Sequence, residues 1–439
     1  MIKKGDKKVI RGWVFYDWAN SVYNLVISSA VFPIFYDNIT TSRYLAGKGW
    51  DELPAGHEVM VNFLGLETSN SALMAYVLSA SFLLVSFLSP MLSGVADFSG
   101  NKKRFMQFFA YLGSIACMSL FYFDKAPIEV GMLSIFLASI GFWNSLVFYN
   151  AYLPEIAEPE DHDKISARGF SMGYFGSMIL LVLCLAIIMG IGPEYTKWSF
   201  LLVGVWWIGF SQVTYRVLPN NVYDKKPQKG VIWKGFKELK IVFTEFKTLK
   251  RLKRFLLAFF FYNTGVQTVM LMAVLFAKKE IAWSEGGGDT GLIISILLIQ
   301  ILGAVGAFVM SRLSGVIGNV KTLAISVTIW VGICIAAFYI VTPVQFYFLA
   351  ATVGLVMGGV QALSRSTYSK FLPETKDHAS YFSFYDATEK IGIVVGTFSF
   401  GFLNDYFGSI RYSVISITLF FAIGLLMLFF VPRLKKEKA

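Results

Sequence analysis

Twelve apolar runs recur along the chain, separated by breaks rich in Gly, Pro, Lys and Arg. They lie at about 12–36, 71–96, 105–123, 130–153, 167–190, 198–217, 255–277, 290–312, 322–341, 345–364, 380–403 and 413–432. A run of about 20 apolar residues spans a bilayer as a helix at about 1.5 Å per residue. The pattern predicts an all-α, polytopic membrane protein with twelve transmembrane helices. An even number of spans puts both termini on one side.

The first span interrupts its own hydrophobicity. Asp17, Asn20, Ser21, Asn24 and Ser28 stand at i, i+3, i+4, i+7 and i+11, a single helical stripe. Such a stripe is costly against lipid, so it is expected to face a protein interior or a water-filled cavity.

Composition supports the membrane reading. The chain is 56% hydrophobic and 15% charged, against about 25% charged residues in soluble domains. The net charge of +11 does not point to nucleic acid, because the cations sit in the short breaks. The N-terminus, alternate breaks and the C-terminal tail hold 31 of the 39 Lys and Arg. The opposite breaks hold 7, and Lys390 lies inside a span. The positive-inside rule then places both termini in the cytoplasm. A multi-pass protein of the cell membrane is expected, with the bilayer as its partner and no nucleic acid.

Cys117, Cys184 and Cys334 each lie in an apolar run without metal-ligand spacing and read as small core residues. His57, His162 and His378 read as loop residues, and Glu155 and Glu374 as solvated. No metal site, cofactor site or phosphate-cradling Gly-Lys-Ser/Thr loop is recognised, which argues against direct ATP drive and against an enzyme.

Two connections are long. Asp37 to Asn70 has no clear periodicity and reads as a lid of unassigned role. Leu218 to Arg254 contains an amphipathic stretch, Val231–Leu249, with Ile232, Phe236, Leu239, Phe243 and Phe246 on one face. Lys234, Lys237, Lys240, Lys247 and Lys250 lie largely off that face. The stretch suits a linker helix between two halves lying on an anionic membrane surface.

The halves echo one another. Phe15-Tyr16-Asp17 matches Phe261-Tyr262-Asn263, Tyr152-Leu153-Pro154-Glu155 matches Phe371-Leu372-Pro373-Glu374, and Asp161-His162 matches Asp377-His378. The echoes keep the order of a six-plus-six repeat, with residues 1–217 and 255–439 as two six-helix bundles and 218–254 as linker.

The break after the second span, Ser93-Gly94-Val95-Ala96-Asp97-Phe98-Ser99-Gly100-Asn101-Lys102-Lys103-Arg104, resembles the loop signature of the major facilitator superfamily. The resemblance implies a latch between halves, with Asp97, Gly100, Lys102, Lys103 and Arg104 as its gating loop. Ser93 replaces the usual Gly and Phe98 a usual basic residue, and the counterpart at 313–321 lacks the Asp.

A closer resemblance rests on four motifs: Tyr16-Asp17-Trp18-Ala19-Asn20-Ser21, the stretch Phe148 to Pro154, Phe261 to Gln267, and Gly358 to Ser366. These are similar to the vacuole-effluxer family of autophagy-related permeases and bacterial relatives within that superfamily. Thr264, Asp386 and Glu389 depart from the family pattern. The resemblance implies the major facilitator fold and, more loosely, amino-acid export.

It also implies that spans 1, 4, 7 and 10 line a central cavity, and polar residues concentrate there. Asp17, Asn20 and Asn24, Tyr149 and Asn150, Tyr262, Asn263 and Gln267, and Gln361 and Arg365 are the candidate solute-binding residues. Arg365 suits a carboxylate, and Asp17 or an aromatic face suits an amine. Amides in membrane helices also serve helix packing.

In span 11, Asp386, Glu389 and Lys390 fall near one helix face about midway through the span. Each costs about 2.5–3.5 kcal/mol against lipid, so they must pair or meet a polar cavity. They form either a structural pair with a second acid or, together with Asp17, a proton-coupling site. Gly169, Gly173 and Gly176 in span 5 have the spacing of a close helix contact.

The sequence reading is therefore a monomeric secondary transporter of a small polar solute, coupled to protons or sodium. Amino-acid or related metabolite efflux is the leading expectation. A cation-coupled importer of a sugar or nucleoside-like solute is the alternative, and a non-transporting receptor or scaffold a further one.

Overall fold

The polar punctuation of the chain becomes a bundle of long helices in the computed structural model, which describes residues 4–54, 57–220, 222–223, 231–284 and 288–432. The N-terminal half holds α1 (Lys7–Val22), α2 (Phe32–Lys48), α3 (Asn70–Ser99), α4 (Lys102–Ser119), α5 (Ile128–Asn150), the one-turn α6 (Leu153–Ile156), α7 (His162–Gly190) and α8 (Trp198–Val217). After α9 (Val231–Thr248) come α10 (Lys250–Glu280), α11 (Gly288–Ile317), α12 (Asn319–Tyr339), α13 (Pro343–Phe371), α14 (His378–Phe407) and α15 (Ile410–Phe429). Nine helices among the described residues are long and apolar enough to cross a membrane. The other three predicted spans fall on α1, α8 and α14, and α1 and α14 carry polar or charged interruptions.

Local sequence sets the ends. Asp6 caps α1 by accepting from the Lys8 and Val9 amides. Gly100, at φ +70°, closes α3 in the left-handed conformation that turns the chain into α4. Thr342 and Gln345 form a reciprocal capping box at the start of α13.

The first span differs from its expected 12–36. After Val22 the helix widens into a π segment, Tyr23–Ala30, closed by Val31 N donating to Val26 O. Val31 then breaks the axis, and Pro33 sits in the first turn of α2. The Asp37–Asn70 connection is likewise more regular than its sequence suggested. It holds the rest of α2 and a hairpin of β1 (Met60–Phe63) and β2 (Leu66–Ser69), paired from Met60↔Ser69 to Phe63↔Leu66.

Polar contacts define two faces. On the basic face, Lys103 Nζ donates to Leu218 O, Gly5 N to Ile156 O, and Arg254 to Phe430 O. On the opposite face, Arg43 donates to the Phe123, Asp124 and Ala126 carbonyls, Lys197 pairs with Asp124, and Arg411 pairs with Glu280.

Outward-facing apolar side chains such as Phe87, Phe348, Phe398 and Leu419 are exposed, as lipid contact requires. The three cysteines are buried and free. The halves meet where α7 packs on α11 and α13, and where α3 packs on α14. Helix α9 lies against α3 and reaches α14, where Phe243 and Phe246 meet the Phe384 ring. Gly94 and Gly235 touch backbone to backbone there, and a Cβ on Gly235 would lie 2.7 Å from Val95 Cα.

Candidate functional site

Away from the basic face, two buried charged clusters stand on the seam between the halves among the described residues. The first joins α1, α5, α7 and α13. Asp17 Oδ2 lies 3.2 Å from Arg365 and accepts the Tyr149 hydroxyl at 2.8 Å. Arg365 also donates to Ser166 Oγ and Ser166 O at 2.9 Å, and to Asn150 Oδ1 at 3.4 Å. Its guanidinium lies over Phe170 at 4.2 Å and over Trp13 at 4.9 Å. Asp17 and Arg365 are 4% and 3% exposed, so each is the other's chief charge partner. Glycine at 169 makes this possible, because a Cβ there would run into Asp17 Oδ2 and the Arg365 guanidinium.

The second cluster joins α3, α5, α10 and α14. Lys390 Nζ lies 3.1 Å from Asp386 Oδ1, 2.8 Å from Glu389 Oε2 and 3.4 Å from the Trp143 ring centre. Ser89 donates to Asn144 at 3.0 Å and to Asp386 at 3.3 Å. Gln267 donates to Glu389 at 2.8 Å. Side-chain exposure grades from 0% at Lys390 and 7% at Asp386 to 16% at Glu389. The three charges are paired, and Glu389 is the most solvent-accessible of them.

The remaining candidates divide. Gln361 accepts the Tyr174 hydroxyl at 2.6 Å, linking α13 to α7 beside the first cluster. Asn20 and Asn263 are buried, with side-chain N–H groups that lack a hydrogen-bond partner among the described residues. Asn24 is exposed on the π segment. Tyr262 is buried within its own half, bonded to Ser364 and packed on Gly424.

The basic face is tied across the halves. Asp97 accepts from the Ala379 and Ser380 amides at 3.2 and 2.7 Å, and from Ser380 Oγ at 2.8 Å. These donors open α14, where an anion is favoured by the free N–H groups and the helix dipole. Lys102 pairs with Glu155, which also meets His378 Nδ1 at 3.2 Å. Asp163 accepts from Ser314, Asn319 and Lys370 at 2.9, 2.7 and 2.6 Å. Arg104 is exposed.

These ties correct two expectations. Glu155 is 3% exposed rather than solvated, because the halves enclose it with Lys102 and His378. His162 and His378 are buried first residues of α7 and α14 rather than loop residues. The charges of Arg365 and Asp17 are satisfied by each other, so neither stands open in this conformation. Sequence reading missed Ser89, although Ser86, Ser89 and Ser93 form a buried stripe at i, i+3 and i+7. The Asp163 hub carried no local signal.

Two halves of long helices, meeting across buried charges and tied at one face, define the major facilitator fold. Solved structures agree. The human organic anion transporter MFSD10 (TETRAN) superposes with a TM-score of 0.66 at 11% identity, over 96% of this chain and 98% of that one. The proton:xylose symporter XylE gives 0.66 at 13% identity, over 97% and 94%. Within that fold, the chain belongs to the family described as vacuole effluxer Atg22 like, whose model matches residues 5–439. It is 28% identical to the uncharacterized MFS-type transporter YxiO of Bacillus subtilis, over 99% of this chain and 96% of that protein. It is 24% identical to autophagy-related protein 22-1 of Penicillium rubens, over 98% and 91%.

Proposed function

We propose that the chain is a secondary active transporter that moves a small polar solute by alternating access. Bundles 1–217 and 255–439 rock about the seam, and 218–254 links them. The observation that carries this reading is the burial of the Asp17–Arg365 and Asp386–Glu389–Lys390 clusters on the seam itself. A static scaffold would gain more from apolar packing there, since buried pairs seldom add stability. A seam that parts and re-forms gives such charges alternative partners in its other state.

The Asp17–Arg365 pair is the gate, and its groups take up solute charges when the seam opens. Arg365 then meets a carboxylate and Asp17 an amine. The amide donors of Asn20 and Asn263, without a partner among the described residues, support a polar cargo. The second cluster couples transport to protons, with Glu389 as the port because its side chain is the most accessible. Amino-acid or related metabolite efflux fits these groups, with the basic face in the cytoplasm of a cell membrane. The ties on that face correspond to a state closed toward the cytoplasm.

Proteoliposomes with an imposed proton gradient test this reading. Accumulation of a labelled amino acid driven by proton flow supports it. Sodium-driven uptake of a sugar, with no response to amino acids, would overturn the substrate class. Unchanged accumulation in Asp386→Asn with Glu389→Gln would remove the second cluster from coupling.

A further inference from the structure

A cavity of about 930 Å³ opens at the basic face between the ends of α10, α12, α13 and α15. It is separate from both charged clusters. Its rim carries Arg251, Lys321 and Lys370, with Glu160 from the N-terminal half as the acid on the lining. Lys370 is already held by Asp163 and Asn319. Lys321 is exposed. The Arg251 guanidinium is stacked 3.7 Å from the Phe371 ring centre, and its Nε is buried without a hydrogen-bond partner among the described residues. A buried guanidinium N–H with no acceptor costs free energy until an anion arrives.

Below this rim the cavity turns apolar. Along α12 it is lined by Lys321, Ala324, Ile325 and Thr328, the i, i+3, i+4, i+7 face of one helix. That face runs about 10 Å into the membrane-spanning part of α12. Leu428 and Phe429 of α15 form the facing wall. Ile325 and Phe429 are 44% and 73% exposed, so the groove opens sideways toward lipid.

We propose that this cavity is a binding site for an anionic phospholipid. Its phosphate is held by Arg251 and Lys321, and one acyl chain lies along α12 against Phe429. A soluble phosphate would satisfy the rim and leave the apolar groove to water. A zwitterionic lipid would fill the groove but bring a further cation to a rim that already has an excess of them.

The test is native mass spectrometry of the full-length protein released from detergent with dioleoyl-phosphatidylglycerol or dioleoyl-phosphatidylcholine. Retained phosphatidylglycerol should fall about fivefold in Lys321→Gln and in Arg251→Gln, the loss of one cation–phosphate contact. Thr328→Trp, which fills the groove from an exposed position, should lower it similarly without touching a charge. Melting temperatures in phosphatidylcholine check folding. If Arg251→Gln fails to fold, the two exposed-site variants still decide. Equal retention of both lipids, or undiminished phosphatidylglycerol in Lys321→Gln and Thr328→Trp, overturns the proposal. So does displacement of phosphatidylglycerol by sn-glycerol 3-phosphate, which would make the site one for a soluble anion.

Discussion

Arg365 of α13 reaches across 348 residues of sequence to sit 3.2 Å from Asp17 of α1, with both side chains sealed from solvent. Breaking such a pair from one side strands a buried charge and costs about 3–5 kcal/mol. Asp17→Asn and Arg365→Gln should each lower the melting temperature and abolish solute flux. Asp17→Asn with Arg365→Gln should regain much of the stability without the flux. If the singles melt like the parent, the pair does not hold the seam. Spin labels at Glu160 and Lys321, one on each half at the basic face, should separate further in the single variants.

Gly169 gives a steric version of the same experiment. Its missing Cβ leaves room for the Asp17 carboxylate and the Arg365 guanidinium. Gly169→Ala should cost about 1–3 kcal/mol by forcing them aside. Gly190 is in the last turn of the same helix, and a Cβ there would meet nothing within 4 Å. Gly190→Ala should therefore be neutral or slightly stabilising. Equal melting temperatures for the two variants would contradict the packing argument.

Lys390 neutralises two acids at once. Lys390→Met leaves Asp386 and Glu389 facing each other without a cation, and should destabilise by about 3–5 kcal/mol. Adding Asp386→Asn and Glu389→Gln should restore the melting temperature but not proton-driven accumulation. Restored accumulation in the triple variant would make the cluster purely structural.

Gly235 sets how closely α9 sits on α3. Gly235→Leu places a side chain against the Val95 backbone, which cannot yield as a flexible side-chain tip would. Helix α9 should lift from the seam, and its Lys-rich face should be cut faster in limited trypsin digestion. Val242, 1% exposed on α9, should become reachable in Val242→Cys by a thiol reagent only in that background. Unchanged digestion and labelling would mean that α9 is held elsewhere.

Much of this architecture was legible in one dimension. Span length, the loop cations and the paired Asp-His dipeptides point to two bundles. The Asp377-His378 dipeptide does open α14, and Asp161-His162 does open α7. The connection at 37–70 was less legible. Its helix begins inside what reads as the first span, and its hairpin strands are only four residues each. The burial of Glu155 was also hidden, because a carboxylate beside a Pro at a helix end looks solvated until a second half covers it.

The sequence by itself determined which residues are polar on each helix face, because a helical period of 3.6 fixes neighbours three and four positions apart. It therefore placed Asp386, Glu389 and Lys390 together and put Asp17 on a stripe with Asn20 and Asn24. Only the tertiary structure decided that Asp17 meets Arg365, that Ser89 meets Asp386, and that Glu155 lies between Lys102 and His378. Helical periodicity says which side of a helix must be covered. Which helix covers it depends on how the two bundles dock, and that is set by packing over the whole seam.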